Sequence, residues 1–556
     1  MYCKCDIYPF VCGVNFLQSI RRRKTDFGES NSGLKRVLTL RDLVFLGMAA
    51  IIGGGIFSSV GEACVNGGPA IIYLFIICAI ACGFAALCYA EFSTRIPVSG
   101  SAYTYAYASF GELFAWIIGW ALLMEYAIGN IYVSFSWSGY FVNLLENMHL
   151  HVPEWLTLSY VTAKKSIGTD AHALAAWNNA PMIGGLRMIL DLPALLINIF
   201  ITALVYIGIS ESKRVSNIMV MLKVAVIIMV IIVGFFYIDF DNYTPFMPTG
   251  FGGVMGSVSA VFFTYIGFDA LSTMAEECEN PKRDLPRGML YSLLICTVLY
   301  ILISLVLTGM VNYTKLGVTD PLAFALAEKG LIWMEYIVSV SAVIAMTSVL
   351  LVFQMGQPRI WFSMSRDGLL PKKFSNIHPK FKTPSFATIV TGFVVGVPIL
   401  FTDKDFVLDF TSIGTLFAFV LVCGGVLLLP RRDREKGRFH MPSINSQIVF
   451  PVLVVLAIII SHLLIPEYFS DMIKPENFSS VFGISHILFW IIMIILSVFA
   501  YLKKWSLIPL LGVSTCLYLL TGMELSNWFW FFIWFLIGIA IYFAYGHKKS
   551  ALNIPK

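Results

Sequence analysis

Runs of about 20 mostly apolar residues recur fourteen times along the chain, with short polar gaps between them. They lie near 40–64, 69–93, 105–146, 190–210, 215–238, 252–276, 287–311, 331–362, 385–402, 406–429, 448–465, 484–502, 505–522 and 527–546. A run of that length crosses the hydrocarbon of a bilayer as a helix. The pattern therefore predicts an all-α integral membrane protein with about fourteen spans. The third run is too long for one simple crossing, which predicts a turn followed by a tilted helix. The one long gap, 147–189, carries Trp155, Trp177, His149 and His151, and reads as an interfacial cap rather than a ligand site.

Composition agrees with the pattern. Of 556 residues 58% are hydrophobic and 13% charged, against about a quarter charged in an average soluble domain. That balance excludes a soluble enzyme, a DNA-binding protein and a disordered scaffold. Basic residues orient the chain. With the N-terminus cytoplasmic, 30 of the 38 lysines and arginines fall in cytoplasmic segments, including the clusters 359–382 and 431–438. Loops on the positive side of a membrane protein are cytoplasmic, so both termini are expected inside. Residues 7–20 read as an amphipathic helix on the inner surface, because the basic run 21–24 follows the apolar stretch instead of preceding it. Eleven scattered cysteines give no disulfide framework.

Two spans are interrupted. The first holds Gly53-Gly54-Gly55 between Ile52 and Ile56. Each glycine weakens a helix by about 1 kcal/mol and frees the backbone to leave helical angles. The sixth holds Phe263-Thr264-Tyr265-Ile266-Gly267-Phe268-Asp269, a glycine and an acid at mid-membrane. A glycine triplet alone also serves close helix packing. Paired breaks at corresponding positions instead point to a transporter with inverted repeats. Freed N–H groups at the start of a half-helix attract a carboxylate, and freed carbonyls at the end of one attract an ammonium. A zwitterion with an α-carboxylate and an α-amine fits both.

Buried charges supply the candidate coupling chemistry. Lys223 lies within the fifth span, about 12 Å along it, where a charge costs roughly 2.5–3.5 kcal/mol. Either it snorkels, or its ammonium rests on carbonyls of the broken first helix, where it replaces a sodium ion and offers a route to proton coupling. Glu125 is a second intramembrane charge, open to two readings: a partner for substrate or proton, or a structural acid. Thr347 and Ser348, after Met346 in span eight, read first as hydroxyls satisfying their own helix. Asp269 reads as an organiser of the sixth-span break.

At these residues the chain resembles the amino acid–polyamine–organocation transporter superfamily, in its cationic amino acid transporter branch. The resemblance is carried by residues 46–57, 89–103, Gly119 to Tyr126, 276–286 and 363–371. It implies a LeuT-like 5+5 inverted-repeat fold. Residues 1–39 would form a cytoplasmic segment, 40–238 and 239–429 the two repeats, 430–546 four accessory helices, and 547–556 a cytoplasmic tail. By the same resemblance, the backbone at Ile52, Gly53, Gly54 and Gly55 takes the substrate carboxylate. Carbonyls of Phe263, Thr264 and Ile266 take the amine, Phe268 gates the site, and Lys223 serves proton use. Met346 would line the side-chain pocket.

The expected function is a proton-coupled amino acid symporter of the cell membrane, working by alternating access on neutral or varied amino acids. A cationic amino acid or polyamine transporter, or an exchanger, is the alternative. Partners are the amino acid, protons and membrane lipid, with a small single-span accessory subunit left open. No cofactor, metal, catalytic residue or nucleic acid is expected. A channel would need a repeated pore loop, and an enzyme convergent acid–base residues.

Overall fold

The computed structural model describes residues 22–24, 36–96, 101–168, 170–208, 213–275, 277–429, 439–464, 467–474, 481–523 and 525–553. The amphipathic segment 7–20, the cluster 431–438 and Cys3, Cys5 and Cys12 lie outside these residues. Among the described residues, each of the fourteen apolar runs is largely helical. Eight helical stretches are long and apolar enough to cross a membrane, and five shorter apolar helices accompany them.

The first span is two half-helices. Thr39 and Asp42 close a capping box over α1, Leu40–Ile51, with the Thr39 N–H donating to Asp42 Oδ2 at 2.9 Å. At Ile52 the backbone turns extended, and the chain resumes as a π-helical turn, Gly55–Ser59, leading into α2, Val60–Gly67. Then follow α3, Ile71–Arg95, and α4, Ser101–Ser109. Gly111 (φ +108°) makes the turn into α5, Glu112–Asn147, so the long third run is indeed a turn and a long helix.

Between α5 and α6 (Leu192–Ile207) sits the loop domain, with short helices and the hairpin β1, Met182–Ile183, and β2, Leu186–Arg187. Ala163, Ala180 and Ile189 form its own small core under Trp155 and Trp177, and His149 and His151 are exposed. That is the arrangement of a cap.

The order continues with α7, Lys213–Phe235, and the sixth span. Its first half ends in α8, Val258–Phe263, and its second half is a 3₁₀ stretch, Phe268–Met274. Next come α9, Pro281–Met310; the short α10, Pro321–Glu328; α11, Ile332–Arg366; α12, Ser385–Ile399; and α13, Lys404–Leu428. The last four are α14, Val449–Leu464; α15, Val481–Lys503; α16, Leu507–Leu520; and α17, Leu525–Ile541.

Burial explains the layering. Helix α5 is enclosed along nearly its whole length and packs on α11 and α13, so it forms the central column. Helices α14 and α15 share a separate apolar cluster with the start of α16, leaving broad apolar faces outward. In a membrane those faces meet lipid, which is why so many exposed residues are Ile, Leu, Val and Phe.

Candidate functional site

The two breaks meet. A Cβ added at Gly55 would stand 2.6 Å from the Thr264 Cα, and one at Gly267 would stand 2.9 Å from the Ala50 carbonyl oxygen. Each break thus leans on the other through bare main chain, and only glycine permits either approach. Gly267 also has φ +114°, a conformation that favours glycine. Gly53 is pressed on Val349 of α11.

An interrupted helix leaves its last carbonyls without intrahelical partners. In α1 other helices meet them. The Lys223 ammonium, from α7, donates to Ala49 O at 3.3 Å, Ile52 O at 3.2 Å and Ser348 Oγ at 2.6 Å. Tyr300 of α9 donates its hydroxyl to Ile51 O at 3.0 Å, and Gly267 covers Ala50. Lys223 is fully buried, so it does not snorkel. A cation at the negative end of a half-helix is also favoured by the peptide dipoles. Removing the Ser348 hydroxyl takes away the shortest of the three contacts. We expect Ser348→Ala to lower stability by roughly 1.5 kcal/mol, the loss of one charge-assisted bond, measured by unfolding in detergent.

Gly54 faces differently. The nearest atoms to a Cβ there would be those of the Tyr132 ring at 3.4 Å and Ser136 Oγ at 3.5 Å. Both hydroxyls are buried and have no hydrogen-bond partner among the described residues. They flank the start of the second half-helix, where the first N–H groups lack intrahelical acceptors. Unpaired buried hydroxyls beside such amides suit an anionic group. The signal was present in the sequence as a polar stripe, Glu125, Tyr132, Ser136 and Asn143, at helical spacing along α5.

The other expected residues divide. Met346 is buried within α11. Thr347 is held by Trp137, whose Nε1 donates to it at 2.9 Å, while its own hydroxyl donates to Val343 O at 2.7 Å. It is thereby separated from Ser348, which turns to Lys223. In the sixth-span turn, Phe263 O already accepts the Ile266 N–H at 3.2 Å, whereas Thr264 faces Gly55 directly. Phe268 packs against Phe419 and Tyr89, with centroids 5.2 and 6.1 Å away.

Glu125 lies about two helical turns from Tyr132, beside Asp269 and Thr415. Asp269 Oδ2 and Glu125 Oε2 both lack partners among the described residues. Amides at Gly267 and Ala270 bond the Asp269 carboxyl, so this acid is tied to the turn of its own break.

On the face that carries the loop domain, hydrogen bonds tie the first span to its neighbours. Tyr140 donates to Phe57 O at 2.5 Å, and Ser58 to Thr319 O at 2.7 Å. The Asn143 amide donates to Asp320, just before α10. Burial pushes the Asp320 carboxyl up to about 6 from 3.8, against the pull of that amide. A folded-state pKa above the unfolded one contributes stability that is complete below pH 3.8 and is lost as pH rises through about 6. Asp320→Asn, which cannot ionise, should therefore lack the loss of thermal stability expected of wild type between about pH 4 and 6, as read by unfolding in detergent.

Facing half-helices with a cation at one broken end, inside a lipid-solvated bundle, define a membrane transporter of the broken-helix kind. The family is shown directly. Residues 38–479 match the family model described as amino acid permease, and 507–550 match the C-terminus of the same family. The chain belongs to the amino acid permease family and is not an enzyme.

Three relatives span different substrates. A branched-chain amino acid permease, BcaP, of Bacillus subtilis is 38% identical over 96% of this chain and 99% of its own. A methylthioribose transporter of the same organism is 37% identical over 94% of this chain and 96% of its own. The vacuolar cationic amino acid transporter 2 of Arabidopsis thaliana is 36% identical over 74% of this chain and 62% of its own.

Proposed function

We propose that the protein is a proton-coupled amino acid symporter of the cell membrane, taking neutral and above all branched-chain amino acids. The observation that carries the coupling is Lys223, fully buried, bonded to two carbonyls at the end of α1 and to Ser348 of α11. A protonated lysine ties α1, α7 and α11 together. A lysine that has lost its proton donates more weakly and bears no charge for the carbonyls to hold, so the half-helix is released.

The substrate's carboxylate would lie on the amides of Gly53 to Gly55 with the Tyr132 hydroxyl, and its amine on the carbonyls of Thr264 and Ile266. Phe263, its carbonyl engaged in the turn, contributes less, and Phe268 gates the site. The side chain would point toward Met346, an apolar residue of α11, while Glu125 lies beside Asp269 and Thr415. An apolar neighbour favours a neutral side chain over a cationic one, in keeping with the near full-length likeness to BcaP. Glu125 then serves proton movement and Asp269 the shape of the sixth-span break.

In this reading residues 40–238 and 239–429 are the moving repeats and 430–546 accessory helices. Both termini lie in the cytoplasm, and the loop domain faces outward.

Binding of amino acids and of methylthioribose to purified protein, by thermal shift, tests the substrate class. Leucine, isoleucine or valine should give the largest shift; a shift only with lysine, arginine or methylthioribose overturns the assignment. Counterflow with and without a pH gradient separates symport from exchange. Tyr132→Phe should raise the KM for uptake about tenfold, through loss of one hydrogen bond to a charged carboxylate.

A further inference from the structure

Lys404 stands where a lysine is doubly disfavoured. It is the first residue of α13, at the positive end of the helix dipole, and it points into the bundle instead of into water. Its ammonium donates to Ser58 Oγ at 2.5 Å and lies 5.3 Å from the centre of the Tyr132 ring. Ser58 in turn donates to Thr319 O at 2.7 Å. A relay of donors therefore joins α13, the π turn of the first span and the segment before α10. Glu62, Asp405 and Asp320 surround the ammonium and offset its burial.

Two features tie this cluster to the substrate cradle. Ser58 is three residues past Gly55, in the same turn, and Tyr132 is the side chain beside Gly54. A cation over the face of Tyr132 thus caps the cradle from the loop-domain side. Glu62 follows Ser58 by four residues, so it lies on the same helical face, about one turn nearer that surface.

We infer that Lys404 is the latch of the outer path, a positioning residue for transport. With the path closed its ammonium rests on Ser58 and Tyr132. As the outer path opens, the ammonium slides outward along α2 from Ser58 to pair fully with Glu62, which already lies near it, so the charge keeps a partner throughout and the cradle is uncovered. Substrate against Tyr132 firms the surface on which the latch closes. The inference rests on the outward orientation and the cradle proposed above.

A cysteine beneath the latch, Ser136→Cys, reports on it. Its labelling by a membrane-impermeant thiol reagent is followed in sealed vesicles of known orientation, without amino acid. The eight native cysteines described are all buried, and the parent protein without Ser136→Cys sets the background. Lys404→Met should speed labelling about tenfold, and Glu62→Gln should slow it, because the open latch loses its partner. Ser58→Ala, which removes the acceptor but no charge, should also speed labelling and keeps the test alive if Lys404→Met does not insert. In uptake, Lys404→Met should lower kcat more than it changes KM, and Lys404→Arg should recover most of it. Labelling that is unchanged in both Lys404→Met and Ser58→Ala overturns the latch. Protection of Ser136→Cys by leucine is scored separately: its absence counts against the cradle, whatever the latch does.

Discussion

Lys223→Ala should abolish proton-driven accumulation while the protein still inserts and folds. The variant removes a charge that satisfies Ala49 O, Ile52 O and Ser348 at once. Hydrogen bonds to a charged group contribute about 1.5–3 kcal/mol, so a net loss near 3 kcal/mol, about 100-fold, is expected in uptake under a pH gradient. Facilitated equilibration without a gradient should survive at a reduced rate, since α1 is still held by Tyr300 and by Gly267. The split is informative. A lysine that merely packs the bundle would impair both modes equally, whereas a coupling lysine separates them. Lys223→Arg, always charged, should bind substrate yet fail to cycle protons. Uptake in vesicles with and without the gradient checks both variants.

Gly55→Val should be at least as damaging, for a different reason. Even the first carbon of the new side chain would lie 2.6 Å from main chain at Thr264, and backbone cannot rotate aside as a side-chain tip can. Forcing methyl groups into a packed contact costs typically 1–3 kcal/mol; here it also pushes the two breaks apart. Uptake should fall to background at any substrate concentration. Gly54→Ala is the instructive contrast. Its Cβ would make ordinary contacts with Tyr132 and Ser136, so the fold tolerates it, but it occupies the space next to their hydroxyls. We expect normal yield, a KM raised about tenfold and a kcat nearly unchanged. Kinetics of the two purified variants check the difference. If Gly55→Val transported normally and Gly54→Ala did not, the placement of the cradle would be reversed.

Much of this is legible in the sequence. Apolar run length alone located the helices, because hydrocarbon thickness sets a length that few other constraints can mimic. The glycines at 53–55 and at 267 marked the breaks, and Lys223 stood out as a cation in an apolar run. The approach of Gly55 to Thr264 was not legible: it joins residues some 200 positions apart, and nothing local encodes it. Nor was the division between Thr347 and Ser348, neighbours with one chemistry, of which α11's rotation sends one to Trp137 and the other to Lys223. The neighbours of Glu125, Asp269 and Thr415, are not legible either, since rotation about α5 decides which side chains it meets. Lys404 was hidden for a simpler reason. At the edge of a span it counts as one more loop charge, and only the fold turns it inward.

In the proposed mechanism, protons move with the amino acid through the break that Lys223 guards. The most direct measurement is the internal pH of vesicles holding the purified protein and a trapped pH-sensitive dye, with leucine added outside and no gradient imposed. Acidification of the lumen that begins with leucine, saturates with it and is missing in Lys223→Ala is the predicted result. Entry of labelled leucine with no change of internal pH would contradict it.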